Sequence, residues 1–100
     1  MEKLVRDKIP KIIIARGEFA DDKTYREMLL LKVREEADEV VEAKTREDLL
    51  FELADIREVL WAVMTCFGIS EEEVSIIQKN KKESRGAFDK KYILKMEDKS

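Results

Sequence analysis

One hundred residues fit a single domain, expected to span 1–100, and the 43% charged residues, three Gly and one Pro leave little chain for loops, which points to an all-α protein. The net charge of −3 carries none of the basic excess that nucleic-acid partners require. No stretch approaches the roughly 18 apolar residues of a membrane span, the opening M-E-K-L-V-R-D-K lacks a signal-peptide apolar core, and the lone Cys66 has no internal disulfide partner, so a cytoplasmic protein with no membrane partner is the expectation.

Taken in chain order, Pro10 suits the first turn of a short helix at about 8–15 that stops at Arg16-Gly17. The β-branched run Ile12-Ile13-Ile14 leaves a strand open there. Asp21-Asp22 offers an N-cap for a long helix to about Ala43, with Tyr25, Leu29, Val33, Val40 and Val41 as its apolar positions. Thr45, with Asp48 three residues on, makes a capping-box-like start for the next helix, which ends at Gly68. Its stripe of Leu49, Leu53, Ile56, Leu60, Val63 and Phe67 predicts the core face. Phe51, Val59 and Ala62 lie on a second side and Trp61 and Met64 on a third, which is more apolar surface than a small monomer buries. A homodimer or homotetramer is therefore expected, against the alternative of a monomer with scattered exposed apolar residues. Ser70 before Glu71-Glu72-Glu73 starts a last helix to about Ser84, with Val74, Ile76 and Ile77 inward. The tail from Phe88 to Leu94 reads as irregular or briefly extended, and 95–100 as frayed.

Histidine is absent, which removes Ser-His-Asp and Cys-His catalysis and every His-based metal site. Cys66, beside Met64 and Phe67 on an apolar face, reads as buried filler rather than nucleophile. Carboxylates, Lys, Arg and a bound ion are left to do any chemistry.

Five acids then stand out: Glu35, Glu36 and Glu39 as E-E-x-x-E, and Glu52 and Asp55 as E-x-x-D. At about 100° per residue, Leu29, Val33 and Val40 lie within about 60° of Glu36, so this carboxylate is centred on an apolar stripe. Such a placement costs free energy unless something positive meets it. Glu52 borders the buried face of the following helix, close in angle to Ile56. Antiparallel packing of the two helices brings the acids together, and hard divalent cations, Mg²⁺ above all, bind such clusters and couple them to phosphates. The competing reading is a solvated face, with Glu35 and Glu39 serving Lys32 and Arg34 as helix ion pairs.

The E-E-A-D-E of 35–39 followed by E-L-A-D of 52–55 resembles the metal signature of the MazG-like all-α nucleoside triphosphate pyrophosphohydrolases. K-L-V-R-D-K-I-P (3–10) and K-K-E-S-R-G-A-F (81–88) look like the phosphoribosyl-ATP pyrophosphohydrolase branch. The resemblance implies a four-helix core in which Glu36, Glu39, Glu52 and Asp55 hold Mg²⁺, with Glu35 a further ligand or a group behind the ligands. It also implies hydrolysis of a nucleoside triphosphate between the α and β phosphorus atoms, giving monophosphate and pyrophosphate, as in removal of noncanonical nucleotides. A carboxylate must then act as base for water, and Glu39 is the residue expected to do so. Lys79, Lys81, Lys82 and Arg85 are candidates for the phosphate clamp, or else a solvated basic helix end. Arg6, Asp7 and Lys8 serve either the site or a bridge across the core, and Asn80 is a candidate to read a base edge. Two features depart from the branch: the connection from Gly17 to Tyr25 is short, and R-G-A-F replaces the commoner R-G-G-F. Both bear on substrate specificity and neither touches the acids. The alternative of another class is a helical oligomerisation or regulatory module that binds a nucleotide without hydrolysing it.

Overall fold

A computed structural model describes residues 2–9 and 17–96. Among these residues the chain is all-helical, with no strand: α1 spans Asp22–Glu42, α2 Arg46–Cys66 and α3 Glu71–Arg85. Two compact units divide it, Met1–Ile69 and Ser70–Ser100, each described by itself. The short helix expected at about 8–15 falls mainly on residues 10–16, outside those described. Before it, Ile9 N–H closes a turn on the Arg6 carbonyl at 3.1 Å.

Local chemistry sets the helix ends. Asp21 caps α1 by accepting from the Thr24 N–H at 2.7 Å, and that bond holds its carboxyl below the usual range. Thr45 Oγ1 accepts from the Asp48 N–H at 3.1 Å and starts α2. Here only the first half of a capping box forms among the described residues, since an aspartate is one methylene shorter than the glutamate that usually reaches back. At the other end, Gly68 turns left-handed at φ +66°, its N–H bonding Thr65 O while Ile69 N–H bonds Met64 O. That double bond is a Schellman stop.

The three-residue connection 43–45 turns α2 back along α1, and the two helices pack on one another. Glu36 and Glu52 lie at matching depth on either side of this turn. The hairpin's buried centre is small: Leu29 and Glu36 are the buried residues among those described.

Two expectations about faces are corrected for the chain by itself, one on α2 and one on α3. On α1, Val41 is exposed, pointing away from the Leu29–Glu36 line. On α2, Ile56 and Val63 are half-buried, but Leu49, Leu53, Leu60 and Phe67 remain exposed. The face of reduced exposure instead runs through Glu52, Asp55, Ile56, Val59, Val63 and Cys66, rotated by roughly 70° from the most apolar stripe. A two-helix hairpin covers one face of each helix, and here the covered face of α2 is the one that carries the acids.

In the second unit, Ser70 and Glu73 form a complete capping box: Ser70 Oγ accepts from the Glu73 N–H at 3.1 Å and Glu73 Oε2 accepts from the Ser70 N–H at 2.7 Å. The first turn of α3 carries Glu71, Glu72 and Glu73 and its last turn Lys82 and Arg85, matching the helix dipole at both ends. Val74, Ile76 and Ile77, expected inward, are exposed in the chain by itself. Residues 87–96 form neither helix nor strand, as their sequence suggests.

Candidate metal centre

The first unit places one buried carboxylate at the centre of the helix pair. Glu36 retains 8% of its surface, and one oxygen each of Glu36, Glu52 and Asp55 lie within 4.8 Å of one another. The spacing explains the meeting. Glu52 and Asp55 are three residues apart and so share one face of α2, which turns toward the middle of α1.

Positive charge reaches this cluster from two directions. Lys32 Nζ stands 3.5 Å from Glu36 Oε1 and 3.1 Å from Glu35 Oε2, with its own side chain only 15% exposed. A buried carboxylate left without such a partner would be strongly unfavourable. Arg6 Nη2 donates to Asp55 Oδ1 at 2.6 Å, and Lys3 Nζ approaches Glu35 Oε1 at 4.0 Å.

Negative charge still dominates around Glu52. Burial pushes its carboxyl above the usual range, and the charges of Glu39, Asp55, Glu36 and Asp48 push it in the same direction. Among the described residues no ion pair reaches Glu52 or Glu39. A set of three converging carboxylates, with neither sulfur nor imidazole, has the donor chemistry of a hard divalent cation. The residues present fit such an ion.

Of the five acids singled out in the sequence, the fold thus brings three into one group. Glu39 is exposed and close enough to Glu52 to act on it by charge, while Glu35 faces Lys32 and Lys3 outside the group. Lys79, Lys81, Lys82 and Arg85 are exposed on α3, in the second unit. Sequence reasoning missed Lys32 as the partner of Glu36, although a lysine one turn away from an inward glutamate is a readable signal. The contact of Arg6 with Asp55 spans 49 positions and has no local signal.

The phosphoribosyl-ATP pyrophosphohydrolase family matches residues 5–82, a stretch that holds Arg6, all five acids and most of α3. The chain belongs to that family. It is a pyrophosphohydrolase, an enzyme acting on phosphoric anhydrides, and its family points to a nucleotide as the substrate. No curated protein and no solved structure matches it. No helix among the described residues is long and apolar enough to cross a membrane.

Proposed function

We propose that this chain hydrolyses a nucleoside triphosphate or related nucleotide between its α and β phosphates, with Mg²⁺ held by Glu36, Glu52 and Asp55. The observation that carries this reading is the convergence of those carboxylates from two helices around a buried Glu36, in a chain of this family. A divalent ion supplies charge neutralisation to the triphosphate and draws electron density from the reacting phosphorus. Phosphoryl chemistry then rests chiefly on positioning and on countering negative charge.

The chain's own residues have separable tasks in this proposal. Glu39, beside Glu52 and exposed to solvent, takes a proton from water as its oxygen bonds to the α-phosphorus. The α–β bridging P–O bond breaks, its electron pair leaves with pyrophosphate, and the monophosphate remains. Lys32 holds Glu36 in place through their ion pair, and Glu35 holds Lys32 from behind. Lys79, Lys81, Lys82 and Arg85 form the phosphate clamp, where an arginine fork and lysine point charges complement oxyanions. House-cleaning of noncanonical nucleotides in the cytoplasm is the role that suits such an activity.

The assembly proposed is a homodimer or homotetramer in which two α1–α2 hairpins complete a four-helix core. Supporting it, α2 leaves Leu49, Leu50, Leu53, Leu60 and Trp61 exposed along one side. A groove of about 380 Å³ runs there past Leu50, Leu53, Arg57 and Trp61. An apolar stretch of that kind marks an association surface.

Pyrophosphate release from a panel of ribo- and deoxyribonucleoside triphosphates and phosphoribosyl-ATP, with Mg²⁺, tests the reading. Turnover of at least one nucleotide is expected, falling by about 10²-fold or more in Glu52→Gln. Turnover on none of them, or a Glu52→Gln variant as active as the parent, would overturn it.

A further inference from the structure

The N-terminal arm brings a cation to the same carboxylate that the proposed divalent ion requires. Arg6 meets Asp55 at 2.6 Å while its side chain keeps 59% of its surface exposed. Lys32 offers a contrast. It is one turn from Glu35 and Glu36 on the same helix and largely buried, so it stays with its acids whenever α1 is formed. Arg6 rides on a segment whose described residues, 2–9, are tied locally by the bond from Ile9 N–H to the Arg6 carbonyl. Its side chain can leave Asp55 without breaking a helix.

A guanidinium seated on a carboxylate oxygen occupies lone-pair directions that a metal ion also uses. An ion that took Asp55 Oδ1 would compete with Arg6 for that oxygen. A cation held there would repel the guanidinium, and a nucleotide bound beside it would offer phosphate oxygens instead. The planar fork that fits a carboxylate fits a phosphate equally well. Resting on the metal reading above, we propose that Arg6 is an exchangeable counter-ion: it covers Asp55 before the divalent ion binds, yields that carboxylate to the ion, and then binds a phosphate of the nucleotide. No covalent bond changes in the exchange. Charge stays close to balanced throughout, because the acids lose an arginine as they gain an ion, and the arginine passes to the incoming phosphates.

The chain and its Arg6→Gln variant, titrated calorimetrically with Mn²⁺ in the absence of nucleotide, read the first half of the exchange. The variant binds Mn²⁺ about two- to fivefold more tightly, the scale on which a half-exposed ion pair can compete. At saturating Mn²⁺, a triphosphate analogue with a methylene bridge between the α and β phosphorus atoms reads the second half. Its affinity falls about tenfold in Arg6→Gln, the loss of a charge-assisted contact, and less in Arg6→Lys, which keeps the charge without the fork. Unchanged or weaker Mn²⁺ binding in Arg6→Gln overturns the exchange, and so does unchanged binding of the analogue. A parent chain that takes up no Mn²⁺ at all would instead sink the metal reading on which the exchange rests.

Discussion

Glu52 carries a pH signature with a definite sign. Burial and the neighbouring acids hold its carboxyl above the ordinary glutamate range in the folded chain. Between its unfolded and folded values the native state binds the extra proton, so raising the pH through that window lowers stability. Asp21 and Glu73 behave oppositely. Their cap hydrogen bonds depress them, and the stability they lend is lost as pH falls through their folded values. In the proposed site a divalent ion would require an ionised Glu52 and cancel its unfavourable contribution. Melting temperature followed against pH without divalent ions should therefore decline less in Glu52→Gln than in the parent above the glutamate range, and saturating Mg²⁺ should remove the parent's excess decline. Parallel pH curves for the two proteins would contradict this account of the site. Glu36 was legible in the sequence because its angular place among Leu29, Val33 and Val40 is a property of one helix. The pairing of Arg6 with Asp55 was not, because it depends on where an arm lies in space.

At the scale of elements, the helix bounds were readable to within about a residue because their signals are local: Asp21, Thr45 and Ser70 as caps and Gly68 as a stop. The stop at Gly68 has a separable energetic role. A β-carbon there would meet nothing within 4 Å, so the cost of a side chain is the left-handed backbone alone. Gly68→Ala is expected to destabilise the protein by about 1 kcal/mol, a fall of about 4–8 °C in melting temperature. Gly17→Ala, also with open space around it, should shift melting by less than half as much. Equal melting of Gly68→Ala and the parent would show that the end of α2 does not require this turn. The face of α2 was misread for a physical reason. Periodicity finds the most apolar stripe, whereas the neighbour within the chain packs on the stripe that brings Glu52 and Asp55 to Glu36.

The whole chain presents more apolar surface than its own fold covers. Leu49, Leu50, Leu53, Leu60 and Trp61 remain exposed on α2, and Val74, Ile76 and Ile77 on α3. All-round apolarity of α2 was evident from its sequence, but which side meets α1 and which is left over required the fold. In the proposed assembly the leftover side of α2 is buried against a second copy, so a charge at Leu60 must be desolvated there without a partner. Leu60→Glu is expected to weaken self-association roughly a hundredfold, read as a drop to monomer mass by light scattering at micromolar concentration. A parent that is already monomeric, or a variant of unchanged mass, would refute that interface. The sequence also could not say how α3 and its cations relate to the acids, because composition and spacing carry no information on the packing of separate units.

The claim beneath all of these is that Glu36, Glu52 and Asp55 converge to hold a divalent cation, and thermal melting across a Mg²⁺ series tests it most directly. An ion that binds only the folded protein stabilises it by about 2.7 kcal/mol at a hundred times its dissociation constant. The account predicts a melting temperature that climbs steadily with Mg²⁺ in the parent and stays nearly flat in Glu52→Gln. The same climb in both proteins, or none in either, would contradict it.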